Sequence, residues 1–142
     1  MAGEFFCMSI HTCYVDEMRA GRKRIELRKY DPHIEPDDWV VIYETMPTGS
    51  IGSAFRAGDT LIGDPVGFWR MHQDVLGIEE GPYLEYFRNR PTAYGLEIAE
   101  FVEFDPKGLT ELRAEFGFTA PQGVIRAKPR IADWVRDWVE EI

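Results

Sequence analysis

The stretch Gly21-Arg22-Lys23-Arg24-Ile25-Glu26-Leu27-Arg28 is where the period of the chain changes, and its reading decides the fold. Upstream of it, Tyr14, Val15 and Met18 fall on one helical stripe behind Thr12, a side chain able to cap a helix start, so a short helix is expected over residues 12–20. Gly21 stands where that helix must close, because glycine takes the left-handed conformation of a helix end without a steric cost. Downstream the period is two. Ile25 and Leu27 share one face of an extended segment, while Arg24, Glu26 and Arg28 share the other. Glu26 and Arg28 then project together, about 6–7 Å apart along the strand, and Lys23, beside the turn, can bend toward them.

Working outward, Phe5 to His11 alternates with Phe6, Met8 and Ile10 on one face and Cys7, Ser9 and His11 on the other, the pattern of a strand with one face in a core. Trp39 to Thr45 is a nearly unbroken run of β-formers, read as a buried central strand between the loops at Asp31-Pro32, Glu35-Pro36-Asp37-Asp38 and Pro47 to Ser50. Ile51 to Ile62 continues as a strand bent at Gly58. Asp64-Pro65 is a helix cap followed by a first-turn proline, opening a helix to about Leu76 that Gly77 stops. Pro82 opens another, with Tyr83, Tyr86 and Phe87 as an aromatic stripe. Thr92 to Phe104 is a long strand with Tyr94, Leu96, Ile98 and Glu100 on one face and Gly95 where a neighbour can approach closely. Leu109 to Phe116 is a short helix ended by Gly117. From Pro129, Ile131, Trp134, Val135, Trp138 and Val139 repeat at helical spacing, an amphipathic helix that packs on the body or on a partner. Strands with short helices at their ends predict an α+β class, mainly β: a small mixed barrel with short peripheral helices and a C-terminal amphipathic helix.

The chain has 142 residues, enough for one compact domain, and a net charge of −9. Its positive charge is concentrated. Residues 19–30 hold six Lys or Arg against the single acid Glu26, and the rest of the chain holds the other ten against twenty-four acids. A positive island on an acidic body predicts a localised anion or nucleotide site and disfavours a long duplex-binding face; considered alone, such a run also fits a solvated hairpin. No window is apolar for the roughly 18 residues a spanning helix needs, and residues 1–10 lack the basic flank and apolar core of a leader, so a cytoplasmic protein without membrane contact is expected. Cys7 and Cys13 have neither disulfide-framework nor C-x-x-C spacing and are read as buried or half-buried thiols.

His11, His33 and His72 have no metal-ligand spacing, so no metal site and no cofactor is expected. There is no G-x-G-x-x-G, no Walker loop and no G-x-S-x-G elbow. What remains is Gly21-x-Lys23-x-x-Glu26-x-Arg28. A lysine beside a carboxylate and an arginine can hold a planar polar ligand by directional hydrogen bonds, or polarise a carbonyl while the carboxylate handles a proton. Taken as a bare pattern, it equally describes a surface ion-pair cluster of little energetic value.

The order and spacing of several segments add to that pattern. Ser9-Ile10-His11, Tyr14, Gly21 to Arg28, Asp38 to Tyr43, Gly63-Asp64-Pro65 with Trp69, Tyr86-Phe87, Tyr94 to Ile98, Leu109 to Arg113 and Ala120-Pro121-Gln122 together resemble an ASCH domain of the PUA-like superfamily. The likeness covers about residues 7–125. It divides the chain into an ASCH domain over 1–125 and a C-terminal helical extension over 126–142 packed on the same domain. The resemblance implies a β-barrel with a cleft lined by the G-x-K-x-x-E-x-R motif and a role in binding RNA or a modified nucleobase. Some similar proteins hydrolyse acetylated cytidine, and nuclease or accessory regulatory roles are suggested for others. In the acetylcytidine hydrolases the motif lysine corresponds to Lys23, whereas the threonine nucleophile corresponds to Glu26, a departure that removes that nucleophile.

The expected ligand is therefore RNA or a nucleoside. Ser9, His11, Lys23, Glu26, Arg28, Tyr43, Trp69 and Tyr94 are the expected binding residues. Tyr43, Trp69, Tyr86 and Tyr94 all have rings that could stack a base, with Tyr43 and Trp69 preferred, although aromatics at such spacing also serve as core. If the protein is instead a hydrolase, acting on acetylated nucleosides or as a ribonuclease, Lys23 and Glu26 are the catalytic pair. The remaining alternative is a regulatory domain acting through its last helix, as a monomer or as a homodimer joined there.

Overall fold

The computed structural model describes residues 3–140. Strands β1 (Phe5–Ile10), β2 (Ile25–Arg28), β3 (Trp39–Glu44), β4 (Ser50–Gly63), β5 (Ala93–Gly108) and β6 (Ile125–Arg126) form one sheet in the order β2-β5-β4-β3-β1-β6. Helices α1 (Thr12–Arg19), α2 (Pro65–His72), α3 (Glu80–Tyr86), α4 (Leu109–Phe116) and α5 (Pro129–Val139) surround it. The class is α+β, mainly β, and the sheet curls into a half-barrel with β2 and β6 at its ends. Among the described residues no helix is long and apolar enough to cross a membrane.

The curl comes from the two long strands. The β4–β5 ladder shifts register between Ile51 and Ser53, between Arg56 and Ala57 and between Ala57 and Thr60, and each added residue bends the strand and increases its twist. Gly58 falls in the last of these shifts, where the sequence predicts the bend. The β1–β3 pair is parallel, from Phe5 opposite Trp39 to Ile10 opposite Glu44, because the chain passes through α1 and β2 before returning beside its own start. Gly21 closes α1 at φ +77°, and Asp64 caps α2 by accepting the Gly67 N–H at 2.9 Å ahead of Pro65.

Three expectations shift by small amounts. His11, not Thr12, is the N-cap of α1, and Thr12 is its first helical residue, its hydroxyl bonded to that of Thr48 at 2.7 Å. The helix predicted to reach Leu76 ends at His72 and runs on as a 3-10 turn over Gln73–Val75. Helix α3 opens two residues ahead of Pro82.

A larger difference concerns β1, whose two faces are both buried. Phe6, Met8 and Ile10 pack with Val15, Met18, Ile42 and Phe55, while Phe5 and Cys7 join Val41, Tyr43, Leu112, Ile131 and Val135 on the other side. Helix α1 covers the first face and α4 with α5 the second, so alternation in this strand marks which core a side chain enters and not core against solvent. Helix α5 contributes Ile131, Ala132, Val135 and Val139 to that second core, and Trp134 meets Phe104 edge-on at 5.5 Å. A third cluster sets Ile25 and Leu27 of β2 against Phe68, Leu76, Tyr83 and Phe87. Gly95 lets α2 close on β5 here, since a Cβ at that position would sit 2.7 Å from Ile25 Cγ2 and collide with the Phe68 ring.

Candidate functional site

Alternation in β2 buries Ile25 and Leu27 in the third cluster and turns Glu26 and Arg28 to the opposite face. Arg28 Nη2 lies 2.9 Å from Glu26 Oε2, and Lys23 Nζ lies 3.6 Å from Glu26 Oε1. One carboxylate thus bridges two cations, with side-chain exposures of 3% for Lys23, 8% for Glu26 and 19% for Arg28. Lys23 is fixed further by donating to the Leu76 carbonyl at 3.0 Å, which ties the start of β2 to the 3-10 turn. Burial pushes the Lys23 ammonium below its ordinary pKa of 10.5, and the neighbouring Glu26 opposes that shift. Arg28 also reaches the Met8 sulfur at 3.2 Å, while its buried Nε has no partner among the described residues.

These three groups border a cavity of about 300 Å³. Ser9, Ile10 and His11 line it from β1 and the start of α1, and Tyr14 reaches it from α1. Ile78 and Tyr86 line it from the α3 side. The Tyr86 hydroxyl donates to the Leu27 carbonyl at 3.3 Å, and burial raises its pKa above the ordinary 10.0. Tyr14 carries Lys23 Nζ 5.5 Å from its ring centre, and burial likewise raises its hydroxyl. Ser9 donates to the Pro121 carbonyl at 2.7 Å, fixing the loop that brings Gln122 to the cavity. His11 Nδ1 and Thr45 Oγ1 are 3.0 Å apart, so the ring is anchored to the end of β3.

Five of the eight expected binding residues therefore come together: Ser9, His11, Lys23, Glu26 and Arg28. The three aromatic ones lie outside the lining. Tyr43 is buried in the second core with its ring 5.2 Å from Phe118, because β3 is covered on both faces. Trp69 packs on Tyr83 at 4.9 Å in the third cluster. Tyr94 is half-buried on β5, opposite Arg28 in the ladder. Tyr86, one of the four rings considered for stacking, is in the wall. Tyr14, Ile78 and Gln122 line the cavity without being among the expected binding residues, although Tyr14 and Gln122 belong to segments that carry the family resemblance. A tyrosine on an otherwise apolar stripe is a further signal for Tyr14, since its hydroxyl needs a polar outlet. Cys7 is buried as expected, but Cys13 is exposed and borders a second, wider groove of about 530 Å³ that shares Tyr14 and Ile78 with the cavity.

An acceptor carboxylate between two donors, under aromatic walls, suits a planar ligand with hydrogen-bonding edges. Among the described residues no group of three or more His, Cys, Asp and Glu could hold a metal ion.

A mainly β fold with a curled six-stranded half-barrel sheet is that of the PUA-like superfamily. Within that superfamily the chain belongs to the ASCH domain family, whose model matches residues 8–101. Among solved structures it is similar to ASCH from Zymomonas mobilis, with TM-score 0.86 and 18% identity over 94% of each chain. Two variants of that protein, one with a serine changed to alanine and one with a tyrosine changed to phenylalanine, match with the same TM-score and identity over 94% of this chain and 95% and 97% of theirs. No curated protein matches the chain.

Proposed function

We propose that the cavity binds a nucleobase or nucleoside, free or exposed in RNA. The observation that supports this reading best is the meeting of Lys23, Glu26 and Arg28 at one concave site. In this reading Glu26 accepts from an amine or ring N–H on the base edge, Arg28 offers its guanidinium to a carbonyl, and Lys23 holds Glu26 in place. Tyr14 and Tyr86 flank the base as stacking surfaces. A volume of about 300 Å³ fits one nucleoside and not a run of stacked bases. The unpaired Cys7 and Cys13 support a reducing, cytoplasmic setting.

The pairing of Lys23 with Glu26 at 3.6 Å in the lining of the cavity favours one second reading, a hydrolase acting on an acylated nucleoside or on RNA. There Glu26 serves as general base for a water and Lys23 stabilises the developing oxyanion.

A thermal-shift screen of nucleosides, including acetylated ones, tests both. Saturation with a ligand at a hundred times its Kd adds about 2.7 kcal/mol of stability, a clear rise in Tm. The binding reading expects such a rise for at least one compound, lost in Arg28→Met. No rise with any of them overturns it. Chromatography of the hits separates the readings: product formation that Glu26→Gln abolishes identifies the hydrolase, and unchanged ligand identifies the binder.

A further inference from the structure

The two neighbourhoods of the cavity carry opposite charge. Next to Tyr86, and outside the residues that line the cavity, Lys29 Nζ stands 4.7 Å over the Tyr86 ring, immediately after β2 ends. Beside it the Arg90 guanidinium lies 4.8 Å over the Tyr30 ring and donates to the Tyr30 hydroxyl at 2.7 Å. Arg90 is close enough to Tyr86 for its charge to act on that hydroxyl. Among the described residues neither Lys29 nor Arg90 has a carboxylate partner, whereas the nearby Arg88 is paired with Glu85 at 3.7 Å. Two cations are thus held by aromatic faces, which orient them without neutralising them.

On the Tyr14 and Ile78 wall the cavity adjoins the wider groove, whose charged side chains are Glu17, Asp74, Glu79 and Arg22. Arg22 is already taken by Glu17, with contacts of 2.6 and 3.0 Å. Asp74 and Glu79 have no cationic partner among the described residues, so a phosphate entering there meets unbalanced negative charge.

We propose that Lys29 and Arg90, set on Tyr86 and Tyr30, form a phosphate subsite, so that the ligand carries phosphate on one side only: a mononucleotide or the end of a strand. This rests on the nucleoside reading of the cavity. Within it, Lys29 and Arg90 take the phosphate as it leaves the sugar, and the groove beyond Tyr14 rejects the next phosphate of a continuing strand. An internal nucleotide, which needs both, is excluded.

Titration calorimetry at low salt with the full chain provides the test, using the four ribonucleosides and their 3′- and 5′-monophosphates. One positional monophosphate is expected to bind about tenfold tighter than its nucleoside or better. The double variant Lys29→Gln/Arg90→Gln is expected to erase that gain while leaving nucleoside affinity unchanged. A short single strand ending in the favoured phosphate separates strand end from mononucleotide. The same sequence closed into a circle is expected not to bind, and Asp74→Asn/Glu79→Gln to admit it. Nucleosides that bind as tightly as their phosphates overturn this inference alone, as does a gain that survives the double variant or a circle that binds as well as the open strand. Failure of every nucleoside and nucleotide to bind overturns the cavity reading, and this inference with it.

Discussion

Glu26 is the residue on which the cleft depends, because it neutralises the buried Lys23 and the half-buried Arg28 at once. Glu26→Gln leaves Lys23 and Arg28 facing each other without a counter-charge, and breaking a buried pair in this way costs about 3–5 kcal/mol. Urea unfolding of the variant measures that loss, and its Tm sets the baseline for any ligand experiment. Lys23→Met is expected to cost less, since Arg28 still satisfies Glu26 and the burial penalty of the ammonium disappears. The same penalty gives stability a pH dependence of known sign. The folded chain holds fewer protons at Lys23 than the unfolded chain does, between the depressed value and the ordinary 10.5. Stability from this group therefore rises with pH through that window and is lost as pH falls through the folded value, by at most about 1.4 kcal/mol per pH unit. The difference in unfolding free energy between wild type and Lys23→Met, followed from neutral pH upward, checks it. A simpler measurement addresses the thiols. Burial lifts Cys7 to about 12 while Cys13 is exposed, so a disulfide reagent at mildly alkaline pH is expected to titrate one thiol in the folded protein and both after unfolding.

At the scale of elements, β5 approaches α2 and β2 closely at Gly95. Gly95→Ala is expected to destabilise by about 1–3 kcal/mol through the collision with Phe68 and Ile25. In α3, Gly81 has nothing beyond its chain neighbours within 4 Å of an added Cβ, but Pro82 follows it and disfavours a helical residue that carries a Cβ, so Gly81→Ala is expected to fall short of the stabilisation of about 0.5–1 kcal/mol that the change gives elsewhere in a helix. Thermal unfolding of the two variants reads both effects. Much of this level was legible in the residues. Gly21, Asp64-Pro65, Gly77 and Gly117 punctuate the chain by local backbone chemistry, which acts wherever the chain goes, and alternation in β2 correctly separated Glu26 and Arg28 from Ile25 and Leu27. What alternation cannot report is the second layer over a face. Tyr43 looks like a ring available to a ligand until α4 and Phe118 cover its side of β3, and Tyr14 looks like core until α1 is docked with that ring at the edge of the cavity. The parallel pairing of β1 with β3 is equally silent in the sequence, because it is decided by the crossover through α1 and β2 and not by any residue within either strand.

For the molecule as a whole, a body of net charge −9 whose cleft is lined by only two cations, Lys23 and Arg28, is expected to bind bulk nucleic acid weakly. With Lys29 and Arg90 as the two phosphate-facing cations, log K against log salt for a single strand is expected to fall with a slope of about −1 to −2, and filter binding over a salt series measures it. A slope several times steeper requires a broad basic face. The position of β2 at one end of the strand order carries a different consequence. A terminal strand offers peptide groups on which another chain can extend the sheet. Here α3 lies over that border, and Tyr86 occupies the Leu27 carbonyl with its hydroxyl. The ring that walls the cleft is thus also a guard on the open margin of the sheet, and whatever loosens α3 to widen the pocket also uncovers a seam along which two molecules can stick together.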